Sequence, residues 1–134
     1  MKPISTVATH FMDDLTKGVT LDSPKKLEPE SSGFMALHIE WVGECNYGEM
    51  YSVAQYYEQN GDLMRDPDVV FIKGKDLNYY PISYRQDGLG VDQETVVFKD
   101  GVVKWVHYSA QKQLVIFVNQ WFRNLADQFK VVVK

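Results

Sequence analysis

The chain has 134 residues and a formal net charge of −4, with 45% hydrophobic and 24% charged side chains. That is the profile of a single globular domain, neither disordered nor coated in phosphate-binding cations. One cysteine, Cys45, excludes an intrachain disulfide and a Cys-based zinc site, which fits a reducing, cytoplasmic setting. No apolar run is long enough to cross a membrane, and the opening MKPISTVATHFMDD reads as neither a secretory signal nor a transit peptide.

Ile4, Val7, Ala8, Phe11, Met12 and Leu15 recur at helical spacing and predict a first helix with one face to bury. Ser5 is its expected N-cap, and Gly18 takes the left-handed position after it. Residues 19–33 follow with two prolines and no periodicity, a flexible connector within a single domain spanning 1–134.

Period-2 patterning begins after Gly33. Met35, Leu37, Ile39 and Trp41 alternate with His38 and Glu40. A second strand runs from Gly48 to Gln59, and Asn60-Gly61 follows as a type I′ turn. Short strands are expected at Val69–Ile72 and Tyr79–Tyr84, where Pro81 marks an edge or a bulge. An exposed edge there leaves a homodimer by sheet extension open beside a monomer, although Pro81 acts against it. Asp100-Gly101 then turns a hairpin in which Lys99 pairs with Val102, Phe98 with Val103 and Val96 with Trp105. Leu114, Phe117, Val118, Trp121 and Leu125 predict a last helix with Ser109 as N-cap, and the tail KVVVK reads as a short strand or a frayed end. The expected fold class is α+β, with about six strands in a twisted antiparallel meander and both helices packed on it.

The candidate site is a polar cluster: Glu58, Asn60, Asp62, Arg65, Asp66 and Asp68 around the Asn60-Gly61 turn, with Arg85, Gln86 and Asp87 further on. Carboxylates gathered this way suit a hard cation, and the arginines suit an anion or a neighbouring acid. The same residues also read as turn structure. Pro67-Asp68 with Glu94 raises a metal-dependent nuclease or phosphoesterase using Asp66, Asp68 and Glu94. Glu94 is followed by Thr95 and Val96, however, so the lysine of that pattern is missing. His10, His38 and His107 show no metal-ligand spacing, and Cys45 has no paired base, so no catalytic set, metal or cofactor is assigned.

Residues 44–70 carry six acids, Glu44, Glu49, Glu58, Asp62, Asp66 and Asp68, against Arg65 alone. The last third is basic, and Lys112, Arg123 and Lys130 make nucleic acid a third reading.

The stretches YYEQNGDLMRDPDVVF and YYPISYRQDGLGVDQE, and more loosely NQWFRNLADQF, resemble a family of small uncharacterised proteins of Gram-positive bacteria, their phages and integrative elements. The resemblance covers roughly residues 34–129 and supplies no catalytic residue. With no complete catalytic set in view, the leading expectation is a cytoplasmic, non-enzymatic module that binds another protein of a mobile genetic element. The two alternatives are the metal-dependent enzyme and the nucleic-acid-binding domain.

Overall fold

Ser5 caps the first helix as expected, its Oγ accepting from the Ala8 N–H at 3.1 Å, and α1 runs Thr6–Thr16. The structure is a computed structural model, and it describes residues 1–30 and 33–129. Ser31 and Ser32 of the expected connector and the KVVVK tail lie outside the described residues.

Strands follow in chain order: β1 Lys25–Leu27, β2 Leu37–Cys45, β3 Gly48–Gln59, β4 Asp62–Gly74, β5 Tyr79–Gln86, β6 Val91–Glu94, β7 Val96–Lys99 and β8 Val102–Val106. A 3-10 turn at Asp87–Leu89 joins β5 to β6, and α2, Tyr108–Phe129, closes the chain. The first six strands form one antiparallel sheet in sequential order, and β7 and β8 form a second, two-stranded sheet. Each neighbouring pair can be joined by a short turn because each is antiparallel. Asn60 (φ +53°) with Gly61 (φ +84°), and Asp100 (φ +55°) with Gly101 (φ +76°), supply the positive φ values that type I′ turns need.

Both helices bury the same face of the sheet. Phe11 of α1 and Phe71 of β4 meet Phe122 of α2 with ring centroids 4.9 and 5.6 Å apart. Leu37, Ile39, Val53 and Val69 complete this core. Val7, assigned to the same helical face, is instead 60% exposed at a groove between the helices. The other face carries a smaller cluster of Ile72, Ile82 and Val96, with Val103 and Val106 of the hairpin packed against it.

Several local expectations are corrected. The expected connector contains β1, which pairs Lys25 with Ile39 and Leu27 with Leu37. Three residues are too few to display a period. The fourth strand begins at Asp62, so the polar stretch after Asn60-Gly61 runs along a strand, pairing Leu63 with Glu58 and Met64 with Tyr57. α2 starts at Tyr108, which puts Ser109 inside the helix.

Pro81 does mark a bulge, because Val70 pairs with Ser83 and Phe71 with Pro81, leaving Ile82 extra. It does not mark a sheet edge, since β5 lies between β4 and β6. The stretch beyond β6 is covered as well. Tyr79 O accepts from the Ile4 N–H at 3.1 Å and Ile82 O from the Thr95 N–H at 2.8 Å. Pro81 O accepts from the buried Gln111 Nε2 at 3.3 Å. Sheet extension at Tyr79–Ile82 would have to displace these bonds.

In the second sheet Val97, not Val96, pairs with Trp105, and Val96 pairs with Val106. Lys104 is the bulged residue that shifts the register. The hairpin leaves the main sheet at Thr95, which is fully buried and whose carbonyl accepts from the His107 N–H at 2.8 Å.

Candidate functional site

The slip in β4 decides what the polar cluster can do. Ala54 pairs with Asp68 and Tyr56 with Arg65, so β4 carries one extra residue at Asp66-Pro67. Unbroken alternation would place Asp66 and Asp68 on one face. The slip parts them. Asp66 Oδ1 accepts from Gln86 Nε2 at 2.7 Å. The Tyr84 hydroxyl donates to Gln86 Oε1, and the Tyr84 ring packs edge-on against Phe117 of α2 at 4.9 Å. Asp68 instead accepts from Ser52 Oγ at 2.7 Å, on the face turned away from the helices.

On that outer face Arg85 stands beside two of the three carboxylates of the metal-dependent alternative. It sits opposite Asp68 and Asp92 in the two flanking strands. Its Nε lies 3.1 Å from Asp92 Oδ1 and its Nη2 3.1 Å from Glu94 Oε1. Asp68 and Glu94 are thus brought to one face as strand neighbours of a guanidinium, and Asp66 is not with them. Among the described residues no three His, Cys, Asp or Glu side chains form a group that could hold a metal ion.

Arg65 donates several hydrogen bonds to a single carboxylate. Its Nε and Nη2 reach the Asp87 carboxylate at 3.1 and 2.8 Å, and its backbone N–H donates to Asp87 Oδ2 at 2.8 Å. Such a fork fixes geometry as well as charge. Hydrogen bonds from the Arg65 side chain, then from its backbone N–H, hold the Asp87 carboxyl below the ordinary carboxylate range. Glu58, Asn60 and Asp62 lie apart from this contact, exposed at the tip of the β3–β4 hairpin. Six of the nine residues therefore lie within a brace that ties β4, β5, the 3-10 turn and β6 together, and the other three lie beyond it.

At the other end of the sheet the structure gathers aromatic residues that the sequence reading did not single out as a site. Tyr47 in the β2–β3 turn, Trp105 of β8 and Tyr108 at the start of α2 are 45%, 62% and 67% exposed. They border two adjoining clefts that share Tyr47, Val106 and Tyr108. One, about 340 Å³, is also lined by Tyr80, Lys75 and Asp76, and Lys104 and Trp105 line the other, about 360 Å³. Asn46 holds the hairpin in place, its Oδ1 accepting from the Val103 N–H at 2.9 Å. Nothing in VVKWVH distinguishes an inward from an outward Trp105. A signal lay in the two-stranded ribbon itself, which has only one face to bury.

The α2 cations are exposed: Lys112, and Arg123, whose Nη1 donates to Gln120 Oε1 at 3.1 Å. Lys130 lies outside the described residues.

Fold and site together define a small α+β domain: an antiparallel meander with two helices on one face, a hairpin on the other and a braced polar end. The chain belongs to the family described as Domain of unknown function (DUF6908), whose family model matches residues 9–131. That match takes in most of α1 and the connector, which the sequence resemblance left outside. No curated protein and no solved structure matches the chain. No helix among the described residues is long and apolar enough to cross a membrane.

Proposed function

We propose that this chain is a non-enzymatic interaction module of the cytoplasm, that its partner is another protein, and that it works in the setting of a mobile genetic element. The observation that carries the reading is the meeting of Tyr47, Trp105 and Tyr108, from three separate elements, on one exposed surface. Large rings left in water forgo the stabilisation that burial would bring. Trp and Tyr are also the side chains that most often dominate binding energy at protein interfaces. The polar cluster is spent on bracing β4 to β6, so recognition is assigned to the aromatic end. The cytoplasmic setting rests on the single free Cys45, and the mobile-element setting on the sequence resemblance.

The test is a photo-crosslinking amino acid at position 105 in cells that carry the gene, followed by purification of the captured protein and measurement of its affinity. Trp105→Ala and Tyr108→Ala are each expected to weaken the purified complex about tenfold or more. Ile116→Ala, on the exposed side of α2, is expected to leave it unchanged. A complex indifferent to both aromatic variants would overturn the reading.

A further inference from the structure

From the charges around the aromatic clefts we infer that the segment seated there is acidic and carries one large apolar side chain. This rests on the reading above and specifies the chemistry of its partner. The cleft lined by Tyr80, about 340 Å³, is the size of a small ligand pocket and receives a bulky side chain between Tyr47, Tyr80 and Tyr108. Lys75, which lines this cleft, and Lys104, which lines the adjoining one, are both exposed. Among the described residues no carboxylate forms an ion pair with either lysine. Asp76, the one carboxylate among the described lining residues, already accepts from the Tyr80 hydroxyl and the Asn78 N–H.

The clefts are therefore positive on a chain whose net charge is −4. An acidic segment meets complementary charge here, beside the aromatic rings, which sets its register. Two separated ammonium groups suit discrete carboxylates. A nucleic-acid strand presents a phosphate at every nucleotide and calls for a continuous basic track, which two lysines do not supply.

The experiment uses the full chain and three probes: a peptide with Glu on both sides of a central Leu, its twin with Gln for every Glu, and an oligothymidylate. Binding is read from the Trp105 indole N–H resonance, assigned with Trp105→Phe. The acidic peptide is expected to bind about fivefold more tightly than its twin at low salt. That advantage should fade at high salt and vanish in the Lys75→Gln/Lys104→Gln variant. Both lysines are exposed, so the variant folds as the parent does, which circular dichroism checks. The inference is overturned if the twin binds equally well, if oligothymidylate moves the resonance at lower concentration, or if neither peptide binds at millimolar concentration. A crosslinked partner that depends on Trp105 but contacts it through a basic or neutral segment would overturn this inference alone and leave the interaction module standing.

Discussion

Arg65 and Asp87 lie 22 residues apart in sequence and meet through a fork in which the backbone N–H, Nε and Nη2 of the arginine all donate to one carboxylate. This contact anchors the 3-10 turn to β4, and β6 follows that turn directly. The most acidic and arginine-rich stretch of the sequence thus works as an internal fastening of the sheet.

Acid should release that fastening. Arg65 holds the Asp87 carboxyl below its ordinary range in the folded state. A group with a depressed native pKa contributes stability that is fully present above its unfolded value, about 3.9, and is lost as pH falls through the native one. The Tm of the parent should exceed that of Asp87→Asn by a constant margin at neutral pH, and the margin should shrink below about pH 4. Thermal melts of the two proteins across that range check it, and a margin that widens in acid would contradict the pairing.

Much of the fold was legible because the sequence writes it in periods. Leu37 and Ile39 alternate with polar neighbours, Leu114, Val118, Trp121 and Leu125 recur at helical spacing, and two type I′ turns carry Asn-Gly and Asp-Gly. The misread parts are those where no period can be written. β1 is three residues long, and the extra residues at Asp66-Pro67 and Lys104 change register through backbone geometry that composition does not encode. That one slip in β4 also made the candidate site hard to read, since it turns Asp66 away from Asp68. The aromatic surface was illegible for a related reason: which side of a two-stranded ribbon faces water depends on where Thr95 releases the hairpin from the sheet.

Two aromatic truncations should separate core from surface. Phe71 is fully buried against Phe122, so Phe71→Ala should cost about 3–5 kcal/mol. Trp105 is 62% exposed, and Trp105→Ala should stay within about 0.5 kcal/mol of the parent. Urea denaturation measures both. A large loss at position 105 would make that ring a structural residue and remove the main support for a binding surface.

Glycine is required at one turn and dispensable at another. Gly48 has φ +150°, and a Cβ there would stand 2.0 Å from the Lys73 carbonyl oxygen across the β3–β4 ladder. Backbone cannot move aside without breaking the ladder, so Gly48→Ala should cost more than about 2 kcal/mol. At Gly88 a Cβ would meet only the Tyr57 hydroxyl, at 2.7 Å. That hydroxyl is the far end of a side chain that can swing, and Gly88→Ala should cost less than about 1 kcal/mol. Equal losses at the two positions would show that the β3–β4 approach is looser than described.

Tyr79 should make the fold sensitive to alkali. Its ring is fully buried beneath α1. Its hydroxyl donates to Asp13 Oδ1 at 2.7 Å and lies 3.1 Å from the Thr16 hydroxyl. Burial is the largest cause raising its pKa far above the usual tyrosine value, and the Asp13 charge adds to it. An unfolded tyrosine ionises near pH 10, so above that value protons leave the unfolded chain first and stability falls with rising pH. Tyr79→Phe should remove that component of the alkaline loss. At neutral pH it should cost about 1 kcal/mol for the missing hydrogen bond to Asp13. Phenolate absorbance should show one tyrosine ionising only together with the unfolding transition, and this step should be missing from the variant. If Tyr79 instead titrated with the exposed tyrosines while the protein stayed folded, α1 would not be sealed onto β5 at this point.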